Sequence, residues 1–236
     1  MAIHNEPARE LTYKIAYHGP GMSGKTTNLR FIYNTLPGRQ AGKMLVLDTA
    51  VERTLYFDFL PLVFSLPDGY KVRFHLYTVP GQSYYDASRK LILRGADGVV
   101  FVADSRNQRF QDNVESLEHL KKDLSEMFLD YGTIPLIMQY NKRDVKDATP
   151  VAELDARLND RKVPFFESGA VDGVGVFETL SAIADAATWN AAVSTRIAPS
   201  TARSASNECG NTRLVTAELK TASPPLAAPR LRRSRR

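Results

Sequence analysis

Eight residues, Gly19-Pro-Gly-Met-Ser-Gly-Lys25-Thr26, follow an apolar run ending at His18 and lead into helical spacing. They constrain the fold more than any other stretch of the chain. The pattern G-x-x-x-x-G-K-[ST] works only between a strand and a helix, where backbone N–H groups at the helix N-terminus close around phosphate oxygens. Leu11 to His18 (LTYKIAYH) supplies the strand, and Lys25 to about Leu36 supplies the helix, closed by Pro37 and Gly38. Gly19, Gly21 and Gly24 let the backbone close, and Pro20, Met22, Ser23 and Thr27 complete the cradle. Lys25 brings positive charge to the outer phosphates, and the Thr26 hydroxyl is a ligand for Mg²⁺. The motif predicts a nucleoside triphosphate without saying which one.

The rest of the first 195 residues alternates strands with helices. Met44 to Leu47, Tyr70 to Thr78, Gly98 to Ala103 and Ile134 to Gln139 read as strands, the last two as central strands covered on both faces. In Tyr70 to Thr78, Lys71 and Arg73 point outward while Val72 and Phe74 point inward. Val114, Leu117, Leu120, Leu124 and Phe128 form one apolar helical stripe. A last helix spans about Gly175 to Ala192. The expected architecture is α/β, a P-loop NTPase with a mainly parallel central sheet flanked by helices.

The base is read elsewhere. Asn141-Lys142-Arg143-Asp144 follows the strand IPLIMQY, where a doubly wound sheet delivers loops to its ligand edge. Guanine presents an N1–H and a 2-amino group side by side, so the Asp144 carboxylate can accept both, whereas adenine lacks that pair. Asn141 supports the loop and the base edge, and the Lys142 stem can lie over the ring. Glu167-Ser-Gly-Ala170 follows VPFF, and there the Ala170 N–H could reach the base oxygen.

Composition matters mainly at the C-terminus. The net charge of +5 divides after Thr195 into −2 for the first part and +7 for residues 196–236. That tail has no aromatic residue and is rich in Ala, Ser, Thr, Pro and Arg, so a disordered basic appendage is expected beside one domain over residues 1–195. Its arginines at 230, 232, 233, 235 and 236 could make weak contacts with anionic membrane or nucleic acid, and a solvated end without a partner reads the same. The start of the chain lacks the basic and apolar regions of a secretory signal, and no apolar run reaches membrane-spanning length, which predicts a cytoplasmic chain. Cys209 alone excludes an internal disulfide or a multi-cysteine metal site, and it lies outside any C-terminal lipidation box.

These motifs, in this order, resemble the Ras-like small GTPases. Glu52-Arg-Thr-Leu-Tyr-Phe-Asp-Phe-Leu-Pro61, Phe74-His-Leu-Tyr-Thr-Val-Pro-Gly-Gln82 and Tyr85-Asp-Ala-Ser-Arg-Lys-Leu-Ile-Leu93 narrow the resemblance to the bacterial mutual-gliding-motility (MglA-type) branch, over about residues 8 to 192. It implies a Ras-like G domain that binds GTP or GDP with Mg²⁺, hydrolyses GTP as a monomer and controls polarity and motility from the cytoplasm, recruited to a cell pole. It further implies a dimeric roadblock-fold GTPase-activating partner and polarity effectors. By the same resemblance Gln82 aligns the attacking water, and Thr54 offers a hydroxyl to Mg²⁺ and an N–H to the γ-phosphate. Arg53 is an intrinsic arginine finger, and Gly81 closes the second switch turn.

The chain reads Thr78-Val-Pro-Gly81 where most relatives read Asp-x-x-Gly, so the carboxylate that usually supports the metal's waters is expected to be missing. Thr78 can accept a water hydrogen bond but brings no charge. Arg53 and Lys90 could equally be solvated charges, and Gln82 an ordinary turn residue. Tyr56, Phe57, Phe59 and Phe64 read as core or switch packing, Tyr84 and Tyr85 as partner contacts. His18 and His75 read as strand residues with satisfied hydrogen bonds. A GTP-binding scaffold with negligible hydrolysis is the alternative function. A P-loop nucleotide kinase is disfavoured, because no arginine-rich lid segment is present in the globular part.

Overall fold

The computed structural model describes residues 2–38, 40–47, 57–67, 69–81 and 86–196. Arg53, Thr54, Tyr56, Gln82, Tyr84, Tyr85, Cys209 and the basic tail lie outside them. The elements are β1 (Ile3–Asn5), β2 (Glu10–His18), α1 (Lys25–Thr35), β3 (Leu45–Leu47), β4 (Phe57–Ser65), β5 (Lys71–Thr78) and α2 (Asp86–Leu93). Then come β6 (Gly98–Asp104), a short 3-10 turn (Asn107–Arg109), α3 (Phe110–Glu126), β7 (Leu136–Asn141), α4 (Val151–Leu158), β8 (Phe165–Glu167) and α5 (Val176–Arg196).

The sheet runs β3-β4-β5-β2-β6-β7-β8, with β1 added to β2. β4 is antiparallel to both its neighbours, and β1 is antiparallel to β2; the remaining pairs are parallel. β2 therefore has β5 on one side and β6 on the other, which makes its C-terminal end the point where the winding reverses. A ligand crevice opens at such a point, and the Gly19–Thr26 turn lies there.

Alternation along the central strands builds two cores. Tyr13, Ile15, Tyr17, Val100 and Val102 face Leu29 and Ile32 of α1 and Leu180 and Ile183 of α5. Ala16, Val99, Phe101 and Ala103 face Ile92 of α2, Leu117, Leu120 and Leu124 of α3, and Leu154 of α4. The expected three-layer arrangement is present.

Three expectations change. The α3 stripe stops at Leu124: Phe128 lies beyond the helix with φ 57° and is 99% exposed, because the chain turns left-handed after Met127 and leaves the helical phase. The strand read at Ile134 begins two residues later and runs through Asn141, since Pro135 at its start has no N–H to give a ladder. β4 is a full strand in a stretch read only as aromatic packing. Asp58, Leu60, Leu62 and Phe64 are buried on its inner face, while Phe57 and Phe59 pack on Tyr77 from the other.

Candidate functional site

The cradle is held from three sides. Lys25 is buried and donates to the carbonyls of Gly19 (2.8 Å) and Pro20 (2.7 Å). Arg109, at the start of α3, donates to the Gly21 carbonyl at 2.9 Å. The Asn141 amide donates to the Ser23 carbonyl at 2.7 Å. Under the helix start, the amides of Asn28 and Gln139 pair at 2.9 and 3.0 Å, and Gln139 also donates to Thr179. α1 is thus fastened to β7 and α5 before any ligand arrives.

Burial of Lys25 pushes its ammonium down to about 7; Lys142 adds to this and Asp58 opposes it. A buried cation paired only with carbonyls is unsettled, and phosphate oxygens would restore its charged form. Two glycines have no substitute here. Gly24 has φ 106°, and a Cβ on it would overlap the Asn141 amide. Gly81 lies directly on the cradle, where a Cβ would overlap the backbone of Pro20 and Gly21.

Across the cleft, Asn141 also accepts from the Ala170 N–H at 3.0 Å. One amide therefore joins the phosphate cradle to the base loop. That N–H, expected to be open to the base oxygen, is committed to Asn141 in this structure. Lys142 has φ 65° and its ammonium meets the Asp104 carboxylate at 2.8 Å, which fixes its stem along the cleft wall. Burial pushes the Asp104 carboxyl up, but hydrogen bonds from Arg106 and Lys142 outweigh it and hold the group below its ordinary value. Asp144 is exposed and, among the described residues, its carboxylate takes no hydrogen bond. Together these segments line a cavity of about 400 Å³ that runs from Gly24, Lys25, Thr26 and Thr27 to Asp144 and Ala170. Its lining thus includes both the phosphate motif and the base loop.

Beside Thr26 the structure differs from expectation. Asp58 of β4 sits next to Thr78 of β5; its backbone N–H donates to Thr78 Oγ1 at 2.7 Å, and its Oδ2 accepts the Thr78 hydroxyl at 3.0 Å. The same Oδ2 accepts the Thr26 hydroxyl at 2.5 Å. A carboxylate is therefore present where the sequence pattern predicts none. The signal was available, since Asp58 is in phase with Leu60, Leu62 and Phe64 on a buried face. Arg109 and Asp104 were also missed, because neither belongs to a motif.

His18 is 1% exposed and stacks on Phe101, and its ring nitrogens have no hydrogen-bond partner, contrary to the expectation of satisfied bonds. Burial first, then Lys25, Arg89 and His119, hold it well below the usual imidazole range, so it is neutral. His75 packs edge-on against Phe59. Lys90 is not a solvated charge: it pairs with Asp86 at 2.5 Å and Glu126 at 2.6 Å, tying α2 to α3. Among the described residues there is no cluster of three or more His, Cys, Asp or Glu that could hold a metal by itself, and no helix is long and apolar enough to cross a membrane.

Comparison with known proteins agrees with this geometry. The sequence model of the Ras family matches residues 43–188, a span that starts beyond the cradle. The mutual gliding-motility protein MglA of Myxococcus xanthus is 53% identical over 184 residues, 78% of this chain and 94% of that protein. The Ras-related protein rab-39 of Caenorhabditis elegans is 24% identical over 75% of this chain and 74% of its own. The Ras-related protein RabZ of Dictyostelium discoideum is 28% identical over 50% of each chain.

Proposed function

The chain belongs to the Ras family as an MglA-type small GTPase, and from that premise we propose that it hydrolyses GTP to GDP and phosphate and serves as a polarity and motility switch. The observation that carries this reading is the Asn141 amide, which holds the phosphate cradle and the base loop in one cleft. Asp144 accepts the guanine N1–H and amino group, and enclosure by the base removes its water. A site built around such hydrogen bonds can reject a base lacking them by about 10⁴-fold. Lys25 turns from the Gly19 and Pro20 carbonyls to phosphate oxygens and is recharged by them.

Magnesium fits the residues present. The Thr26 hydroxyl points its hydrogen at Asp58, which leaves its lone pairs for a hard cation. Thr26, with Thr54 from the resemblance, would hold the ion, which neutralises charge on the phosphates when bound. Gln82 orients the attacking water and Arg53 stabilises the transferring phosphoryl group. GTP holds the segments carrying Thr54 and Gly81–Gln82, and hydrolysis releases them to partners. These partners are a dimeric roadblock-fold activator and polarity effectors, met in the cytoplasm or at a cell pole by a monomeric G domain. Residues 1–195 are that domain, and residues 196–236 are a basic appendage.

The test is single-turnover GTP hydrolysis with and without a roadblock-fold dimer. Removing Arg53 should lower the stimulated rate by about 10³-fold or more, and Gln82→Leu should abolish stimulation. A stimulated rate unchanged by Gln82→Leu overturns the mechanism. A wild type that binds GTP and is stimulated by no such partner is a scaffold.

A further inference from the structure

We propose that Asp58, delivered by β4, is the carboxylate that supports magnesium in this G domain, taking across one β-ladder the part of the acid that most relatives carry where this chain has Thr78. The inference rests on the guanine-nucleotide reading above and assigns a residue to its metal. β4 and β5 pair Phe59 with Tyr77, and the next step of that register sets Asp58 beside Thr78 with both side chains on the buried face. Cross-strand neighbours lie about 5 Å apart, so the exchange moves the charge by one strand and leaves it beside Thr26.

A carboxylate in line with Leu60, Leu62 and Phe64, and only 6% exposed, needs more than neutral donors to be favourable there. Thr26 and Thr78 are both neutral, and both donate to the same oxygen, Oδ2. Among the described residues Asp58 forms no ion pair. Lys25 acts on it through space but is itself held down by burial, and a divalent cation next to Thr26 supplies the further positive charge. A hydroxyl that ligates a metal keeps its proton and must place it on an acceptor; a carboxylate in that position fixes the hydroxyl's orientation and strengthens it as a ligand. Thr78 holds the carboxylate from the other side, through both its accepted and its donated hydrogen bond. Thr78 is then a positioning residue and not a weakened remnant.

The test measures release of a fluorescent guanosine diphosphate from the full chain across a magnesium titration, and again in excess chelator. D58N should raise the magnesium concentration needed to retain nucleotide by about 10- to 100-fold, and its release rate should differ from wild type far less in chelator than at the wild-type magnesium midpoint. The exchange variant D58T/T78D restores one carboxylate and one hydroxyl to the pair and should recover most of the wild-type magnesium dependence. Where D58N does not fold, D58S gives the same reading, since it keeps a hydrogen-bonding oxygen without charge. A D58N or D58S midpoint equal to wild type overturns the proposal, as does an exchange variant no better than D58N. A wild type that retains no guanine nucleotide with or without magnesium would instead remove the nucleotide reading itself.

Discussion

His18 closes β2 one residue before the cradle, and its neutral, buried ring makes stability depend on pH. The unfolded chain takes a proton near pH 6.5, whereas the folded chain resists it. Its contribution is therefore fully present above pH 6.5 and is lost as pH falls below it, by up to about 1.4 kcal/mol per pH unit for one proton. His18→Leu should reduce this dependence: urea unfolding at pH 7.5 and 5.5 should show a smaller drop for the variant. Equal drops would mean that His18 takes no part. The cradle and base-loop residues were legible in sequence because each motif is local, with a strand before it. Asp58 was not, because its neighbour is set by the register between β4 and β5, which no short pattern states. Asp104 was hidden similarly, since its partner Lys142 is 38 residues away.

Helix α2 carries the chain onward from residues 82–85, and it is attached to α3 by ion pairs as well as by the apolar contacts of Ile92 and Leu93. Arg89 is buried and donates to Asp123 on α3 at 2.9 Å and to Asp86 at 2.8 Å. Burial raises the Asp123 carboxyl, against the lowering effect of Arg89, so the acid depends on that partner to stay charged. Arg89→Ala leaves Asp123 buried without its cation and should destabilise the domain by about 3–5 kcal/mol, read as a lower urea midpoint. Asp123→Asn should lose less, and an Arg89→Ala midpoint near wild type would show that α2 is held by its apolar face alone. At this scale the long apolar runs were the legible part: β2, β5, β6, α1 and α5 stand close to their expected limits. β4 was obscured because Pro61 and Asp58 interrupt a strand pattern, although the β4–β5 ladder runs unbroken through Pro61, which lies opposite His75.

Along the whole chain the charge is divided unevenly, −2 over residues 1–195 and +7 over residues 196–236. A chain ending at residue 196, where α5 ends, should bind guanine nucleotide and magnesium as the full chain does. Equilibrium titration of both chains with labelled nucleotide checks this, and a clear loss of affinity would make the tail part of the folded machine. The Asn141 fastening has a further consequence during synthesis. Its two partners lie 118 residues upstream, at Ser23, and 29 residues downstream, at Ala170. A nascent chain that has emerged only as far as α3 already carries the phosphate motif with its Lys25 and Arg109 holds, but lacks the Asn141 fastening. The join between the phosphate cradle and the base loop thus forms late, once β7 and the Ala170 loop have left the ribosome.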